Sequence, residues 1–151
     1  MENLDHNFSV IGFSETWLKP DTTDLFGLDG YKSEHSVRPQ RTGGGVSLFI
    51  KDHIEYSVRN DLSLNNDIIE SKFIEIEKEI LGKSKNVITG VIYRPPGTDI
   101  RTFNSYLESI LTNIKSENKL IYMMGDWNIN LLNIENHEAS QEFFDVMMSN
   151  S

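Results

Sequence analysis

The sequence predicts an α/β fold, since apolar runs typical of strands and two segments of helical periodicity share one chain. Several runs of about five to nine residues are rich in Val, Ile, Phe and Tyr and are bounded by polar or glycine-containing segments. Apolar residues recur at i, i+3, i+4 and i+7 in two later segments. The chain has 151 residues, enough for a buried core, and residues 1–151 are expected to form a single domain.

Strands are predicted throughout the chain. They comprise residues 8–13, 31–36, 46–50, 54–58, 71–77, 86–94 and 120–124. The third and fourth are expected to form a hairpin through residues 51–53. In the fifth, Ile74 and Ile76 share one face and Glu75 lies on the other, which predicts a half-exposed strand. Pro95 must end the sixth, because proline lacks the N–H that a strand ladder needs. The seventh is expected to be buried, since it is a short, continuous apolar run.

Two helices are predicted after the sixth strand. Thr98 or Asp99 can cap the first, whose apolar face extends over about four turns and ends near residues 115–119. This face comprises Ile100, Phe103, Leu107, Ile110, Leu111 and Ile114. The second helix is expected to begin near Glu138. Its apolar face comprises Ala139, Phe143 and Val146.

An acidic turn follows the strand predicted at residues 120–124. Gly125 opens the turn, and Asp126 and Asn128 follow at i, i+2 spacing, which in extended chain directs both side chains to one side. Ligands of open α/β sheets bind at the carboxyl ends of strands. A carboxylate that orients or deprotonates a water, beside an amide that holds an oxygen, suits attack on a phosphate. An ordinary strand-to-loop turn is the alternative, because Gly, Asp and Asn favour turns for backbone reasons.

Two further side chains lie at predicted strand ends. Glu15 follows the first strand and is a candidate divalent-metal ligand, since Mg²⁺ is commonly held by one or two carboxylates and substrate phosphate. Tyr93 is near the end of the sixth strand, and its phenol could donate to a phosphate oxygen. The alternatives are a solvated loop glutamate and a core or rim tyrosine.

A locally basic connector at residues 38–45 ends in three glycines. A phosphate-binding P-loop requires Gly-Lys-Ser/Thr before a helix, whereas a strand-like run follows here. The glycines are therefore expected to act as a hairpin or close-approach spacer rather than as a phosphate cradle.

Composition restricts the classes of function. The absence of cysteine excludes disulfides and thiolate metal sites. No run approaches the ~18 apolar residues of a membrane span, so no membrane partner is expected. The net charge of −9 argues against tight sequence-independent binding of nucleic acid through a broad basic face. It is compatible with a phosphodiesterase whose carboxylates gather a divalent cation.

Four motifs, in this order, resemble the endonuclease/exonuclease/phosphatase family. They are residues 11–18 (IGFSETWL), 43–46 (GGGV), 91–96 (VIYRPP) and 125–128 (GDWN). More narrowly, they resemble the endonuclease domain that jockey-type non-LTR retrotransposons carry ahead of their reverse transcriptase. The resemblance covers most of residues 10–130. It implies a DNase I-like, partial four-layer α/β sandwich in which two β-sheets are flanked by helices.

The resemblance also implies a Mg²⁺- or Mn²⁺-dependent phosphodiesterase that nicks DNA by attack of a water. By matching motifs, Glu15 would bind the metal and Tyr93 would lie near the scissile phosphate. Asp126 would position or activate the water, and Asn128 would hold the phosphate. DNA would be the substrate, bound weakly by this acidic chain. A reverse transcriptase would belong to the same parent protein, and the site of action would be the nucleus.

Two departures from the family pattern lead to competing hypotheses. The family's earlier Asn-bearing strand and its later Ser-Asp-His segment have no match here, so the domain is expected to be truncated at both ends and impaired as an isolated chain. The histidines are expected in surface or loop positions; they are His6, His35, His53 and His137. The alternatives are a catalytically dead remnant that acts as a binding or fold fragment, and a phosphatase of the same superfamily that acts on a small phosphoester.

Overall fold

The structure is a computed structural model that describes residues 8–38 and 43–150. Its strands are β1 (Val10–Ser14), β2 (Tyr31–Ser36), β3 (Val46–Lys51), β4 (Ser57–Val58), β5 (Glu70–Ile76), β6 (Val87–Tyr93) and β7 (Leu120–Asp126). Its α-helices are α1 (Lys78–Leu81), α2 (Ile100–Ser116) and α3 (Glu138–Ser149), and short 3-10 helices span Thr23–Leu25 and Leu131–Asn136. His6 and residues 39–42 of the predicted connector lie outside the described ranges.

The strands form two sheets. The first has the order β1-β3-β2, with both pairings antiparallel. The second has the order β4-β5-β6-β7 and is antiparallel except for the pair β6–β7, which α2 connects as a crossover helix. Because that pair is parallel, the carboxyl ends of β6 and β7 lie at the same edge of the sheet.

One hydrophobic core lies between the two sheets. Its buried members are Val46, Leu48, Ile50, Ile54, Ile74, Ile76, Val91 and Tyr93. Along β3, β5 and β6 these residues alternate, since side chains at i and i+2 share a strand face. Tyr93 is the last of them on β6, so its phenol lies at the rim of this core.

A second core lies between the outer face of the second sheet and helices α2 and α3. Helix α2 buries the face predicted from its spacing except for Ile100, which is half-buried. Phe103 packs against Phe143 of α3 with ring centroids 6.4 Å apart. The Asp99 carboxylate accepts a hydrogen bond from the Thr102 N–H at 2.7 Å, so the predicted cap is confirmed. Helix α3 begins at Glu138, as the sequence predicts.

The hairpin predicted through residues 51–53 is wrong. The Ile54 N–H donates to the Lys51 carbonyl in a turn, and Ile54 is then buried between the sheets. The chain continues into the second sheet, where β4 pairs with β5 and spans only Ser57–Val58. Burial of Ile54 thus replaces hairpin pairing, a choice that local periodicity does not encode.

Two strands differ from prediction in their exposure. The prediction of a half-exposed β5 is wrong, because Phe73 on the second face is buried under the helices and Glu75 lies in a network of ion pairs. The prediction of a buried strand at residues 120–124 is also wrong. Strand β7 is the edge of its sheet, and Tyr122 is 55% exposed. The burial of a strand depends on its neighbours in the sheet, which sequence periodicity does not specify.

The predicted α/β arrangement of two β-sheets flanked by helices is confirmed. The longest helix, α2, has 17 residues and buries one face. Among the described residues, no helix combines the length and apolarity needed to cross a bilayer.

Candidate active site

Strand ends from both sheets meet at one edge of the molecule. In the second sheet, Tyr93 is the register partner of Asp126 on β7 and of Glu70 on β5. Directly opposed residues on neighbouring strands, which lie about 4.8 Å apart, point to the same face of a sheet. Glu15 follows β1 of the other sheet and is hydrogen-bonded to Tyr93. Residues remote along the chain therefore share one region.

The Tyr93 hydroxyl donates a hydrogen bond to Glu15 Oε1 at 2.5 Å. Burial is the largest cause that raises the pKa of Tyr93, and the hydrogen bond and charge of Glu15 raise it further. The phenol is therefore protonated at neutral pH and serves as a donor. In this structure its acceptor is the Glu15 carboxylate, so the phenol orients that side chain.

Two of the candidate residues have an unusual backbone conformation. Glu15 has φ of 54° and Asn128 has φ of 49°, in the left-handed region that non-glycine residues adopt infrequently. Such conformations are concentrated at active sites and ligand-binding turns, where the surrounding structure maintains them. Glu15 lies in the turn that follows β1, and Asn128 lies in the turn that follows β7.

The acidic turn has a compact geometry that differs from the extended chain expected of it. The Asn128 N–H donates to Asp126 Oδ1 at 3.0 Å, and the Asn128 side-chain amide donates to the Arg94 carbonyl at 2.8 Å. The prediction that i, i+2 spacing in extended chain aligns the two side chains is wrong, because β7 ends at Asp126 and Asn128 is left-handed. Both residues nevertheless line one open cleft of about 480 Å³, formed by residues 125–131 and Phe143.

Arg94 holds this turn in place. Its guanidinium donates to the carbonyls of Trp127 at 2.7 Å, Asn128 at 2.5 Å and Thr98 at 2.6 Å, and its side chain is almost fully buried. Burial lowers the pKa of Arg94, although the nearby Asp126 carboxylate acts to raise it. Sequence patterns did not predict this role; the available signal was a lone arginine between a strand end and a proline.

Two neighbouring residues of the turn explain its shape. Gly125 has φ of 147°, and a Cβ there would lie 1.8 Å from the Ile92 carbonyl oxygen, so only glycine fits. Trp127 packs on Phe143 of α3 with ring centroids 5.3 Å apart. The turn is therefore fixed to β6 on one side and to α3 on the other.

The donor set at this edge suits a hard divalent cation. The Glu15 and Asp126 side chains belong to exposed residues and supply carboxylate oxygens, which Mg²⁺ and Mn²⁺ prefer. Within residues 8–38 and 43–150, no three His, Cys, Asp or Glu side chains are grouped closely enough to form a complete cage. Mg²⁺ commonly binds through one or two carboxylates with waters and substrate phosphate completing its coordination, so the residues present fit such an ion.

Among the described histidines, His137 lines a small cleft of about 240 Å³ together with Asn128. His53 and His137 are exposed, and His137 Nδ1 accepts from the Ser140 N–H at 3.3 Å, at the start of α3. The predicted surface or loop position is wrong for His35, which lies on β2. Its ring packs 6.0 Å from that of Phe49, its Nδ1 lies 2.7 Å from Ser47 Oγ, and burial lowers the pKa of His35.

Comparison with known proteins identifies the family. A model of the endonuclease/exonuclease/phosphatase family matches residues 3–144. No curated protein matches the chain. Among solved structures, the chain is similar to the human Nocturnin catalytic domain with bound sulfate anion, at 16% sequence identity and a TM-score of 0.50. That match covers 88% of this chain and 54% of the Nocturnin chain, so this chain spans about half the length of that structure. The match supports the DNase I-like form of the fold, and the chain belongs to the endonuclease/exonuclease/phosphatase family.

Proposed function

We propose that the protein is a metal-dependent phosphodiesterase that nicks DNA, as the endonucleases of jockey-type non-LTR retrotransposons do. The main support is the hydrogen bond that joins Glu15 to Tyr93, beside the cross-strand pair of Tyr93 and Asp126. The finer, retrotransposon assignment rests on the Tyr-Arg-Pro-Pro sequence at residues 93–96. In that setting, the protein would act in the nucleus alongside a reverse transcriptase.

Each candidate residue has a distinct role in this proposal. Glu15, oriented by the Tyr93 phenol, would hold the cation with help from Asp126. A bound Mg²⁺ or Mn²⁺ would supply Lewis-acid stabilisation of charge on the phosphate. The Asp126 carboxylate would orient the attacking water and accept its proton. One N–H of the Asn128 amide is donated to the Arg94 carbonyl, which leaves the second N–H for a phosphate oxygen.

The direct test is nicking of supercoiled plasmid by the purified chain with Mg²⁺ or Mn²⁺. We expect nicking that is lost in the double variant Glu15→Ala/Asp126→Ala. The matched control, Glu108→Ala/Asp145→Ala, removes two carboxylates from exposed positions on α2 and α3 and should nick as the unaltered chain does. Nicking that persists in the first double variant would remove the roles assigned here.

The rate of the isolated chain is expected to be low. The 151 residues contain no Ser-Asp-His sequence, the segment that supplies a transition-state donor in related enzymes. Removal of one such donor costs about 10²–10³ in rate. A chain of these boundaries that turns over as fast as a family member containing the segment would contradict this expectation. Complete inactivity of the chain, with DNA binding retained, would contradict the proposal and favour the catalytically dead remnant.

A second candidate function is hydrolysis of a small phosphoester. The net charge of −9 favours it, because a compact substrate does not require a broad basic surface. Inhibition of turnover by inositol phosphates, with no competition from DNA, would favour this alternative. Competition by DNA alone would favour the endonuclease.

A further inference from the structure

We propose that Glu70 is a positioning residue that holds the turn carrying Glu15 against Tyr93, acting through Arg38 and the glycine segment at residues 43–45. The inference rests on the proposed function in one respect, since it treats Glu15 as a metal ligand. It adds a role for a buried carboxylate that the proposed chemistry does not use.

Glu70 is a charged residue enclosed by the fold. It is the first residue of β5, its side chain is fully buried, and its register partner on β6 is Tyr93. Glu70 precedes Ile74 by four residues in β5, so the two side chains lie on the same face of the strand. Ile74 belongs to the inter-sheet core, and the Glu70 side chain therefore points towards the other sheet. Burial of a carboxylate is costly unless its oxygens are paired, so its partners must be well defined.

Both Glu70 oxygens are paired with the segment that joins β2 to β3. The Arg38 guanidinium donates to Oε1 through Nε and is ion-paired with it through Nη2. The Gly45 N–H donates to Oε2 at 2.5 Å. A single carboxylate thus fixes two points of this segment, one on each side of residues 39–42. The Gly45 N–H is consequently committed to Glu70, which supports a spacer role for the glycines over a phosphate cradle.

The glycine segment in turn binds the backbone next to Glu15. The Thr16 N–H donates to the Gly45 carbonyl at 3.2 Å, and the Trp17 N–H donates to the Gly44 carbonyl at 2.9 Å. Glu15 and Trp17 both have positive φ, of 54° and 57°, so this turn depends on its surroundings to keep its shape.

Glycine is required where the two segments touch. Gly45 has φ of 85°, and a Cβ there would lie 2.7 Å from Thr16 Oγ1. Gly44 has φ of 69°, and a Cβ there would lie 2.5 Å from the Arg38 guanidinium carbon. A side chain at position 45 would therefore block the close approach of the Glu15 turn, and one at position 44 would displace the Arg38 guanidinium. The hydrogen bonds form a continuous path from Glu70 through Gly45 to the backbone that carries Glu15.

The test uses Glu70→Gln with two readouts, amide hydrogen exchange and Mn²⁺ binding followed by electron paramagnetic resonance. This substitution keeps the shape of the side chain but removes its charge and one acceptor oxygen. We expect the Thr16 and Trp17 amides to exchange about tenfold faster while the β5–β6 ladder is unchanged. We expect Mn²⁺ affinity to fall about tenfold or more, as it does when a residue that orients a metal ligand is altered.

Glu75→Gln is the matched control, because Glu75 lies on the same strand and pairs with Arg59 and Lys119, away from the glycine segment. It should leave the Thr16 and Trp17 amides and the Mn²⁺ spectrum unchanged. A second variant, Arg38→Leu/Glu70→Leu, leaves no unpaired buried charge and addresses the case in which Glu70→Gln does not fold. It should give the same faster exchange.

Unchanged exchange at Thr16 and Trp17 in a folded variant at Glu70 would overturn the positioning role. Equal effects of Glu75→Gln would overturn it as well, because they would indicate general loosening of the sheet. Absence of Mn²⁺ binding by the unaltered chain would instead overturn the proposed metal site, and amide exchange would then decide the positioning role alone.

Discussion

Tyr93 connects the two sheets through one side chain. Its ring completes the inter-sheet core, while its hydroxyl reaches Glu15 at the rim. The same residue therefore contributes to stability by burial and to the site by orientation of a carboxylate. Substitution by phenylalanine separates these contributions, since it keeps the ring and removes only the donor.

Tyr93→Phe is expected to lower phosphodiester turnover by about 10²-fold while the free energy of unfolding falls by only about 1 kcal/mol. The stability cost is small because Glu15 is an exposed residue whose carboxylate can bind water instead. Turnover and urea denaturation measure the two effects. The matched control is Tyr56→Phe, which removes a hydroxyl hydrogen bond to Glu34 at 3.1 Å. Equal turnover losses in both variants would contradict a specific role for Tyr93.

Arg94 contributes to the site without a place in the proposed chemistry. Its fork of donors satisfies backbone oxygens of Trp127, Asn128 and Thr98, which a lysine cannot reach together. Arg94→Lys is expected to lower the free energy of unfolding by about 1–3 kcal/mol, because partly buried carbonyls lose their donors and the buried cation loses acceptors. Turnover should fall as the Asp126 turn loosens.

Arg101→Lys is the control for that substitution. Arg101 is ion-paired with Glu138 and Glu142, and its side chain is more than half exposed. Its replacement should leave the free energy of unfolding nearly unchanged. Comparable destabilisation by the two lysine variants in urea denaturation would disprove the special role of the Arg94 fork.

At the scale of elements, β6 is the strand on which the site and both cores depend. It pairs with β5 on one side and β7 on the other, and every residue from Val87 to Tyr93 is buried. Its midpoint, Gly90, is the register partner of Phe73 on β5. The Phe73 ring occupies the space that a side chain at position 90 would need. Displacement of this ring would therefore disturb the packing of α2 on the sheet.

Gly90→Ala is expected to lower the free energy of unfolding by about 1–3 kcal/mol through overpacking. The added Cβ would lie 2.2 Å from a Phe73 ring carbon, and Phe73 is fully buried. Gly27→Ala is the control, because no atom lies within 4 Å of a Cβ built there. Urea denaturation of the two variants gives the comparison, and equal stability would show that Phe73 relaxes freely.

At the scale of the whole molecule, one ion-pair network joins four elements at a distance from the candidate site. Arg59 follows β4 and binds Glu75 of β5 and Glu117 at the end of α2, at 2.8 and 2.5 Å. Lys119, just before β7, binds the same two carboxylates. Hydrogen bonds from Arg59 and Lys119 lower the pKa of Glu117. Burial alone would raise the pKa of Glu75, but hydrogen bonds from Lys119, Asn86 and Arg59 outweigh it and lower that pKa.

This network predicts acid sensitivity with a defined sign. Because the pKa values of Glu75 and Glu117 are lowered in the folded state, their stabilisation is fully present above the ordinary glutamate pKa of 4.5. It is lost as pH falls through the lowered folded-state values. Glu117→Gln should lower the free energy of unfolding at about pH 7 and make its decline towards about pH 3 shallower.

Urea denaturation over a pH series measures this effect. Glu55→Gln is the control, since Glu55 is 80% exposed in its ion pair with Lys32 and should leave the pH profile nearly unchanged. A Glu117→Gln profile parallel to that of the unaltered chain would show that the network does not determine acid stability.

Sequence patterns were most accurate where the stabilising contacts are local. The cap at Asp99 and the apolar face of α2 lie within the helix, and both are confirmed. The predicted hairpin after β3 is wrong because Ile54 is instead buried between the sheets. That burial depends on residues from other elements, which the local pattern does not show. Exposure of β7 was mispredicted for the same reason, since an edge strand has a neighbour on one side only.

The candidate site shows the same division. Glu15, Tyr93 and Asp126 could be named from their positions at strand ends, and their family motifs agree with that choice. The contacts of Arg94 and Glu70 could not be predicted, because each joins backbone or side chains from segments remote in sequence.

By itself, the sequence determined the α/β class, the two longer helices α2 and α3, most strands, the family and the chemical types gathered at strand ends. The tertiary structure alone decided which strands share a sheet, that Tyr93 donates to Glu15, and that Arg94 and Glu70 hold the two turns. The physical reason is that propensity, capping and periodicity act over a few neighbouring residues. Sheet order and buried hydrogen bonds are set by the packing of the whole chain.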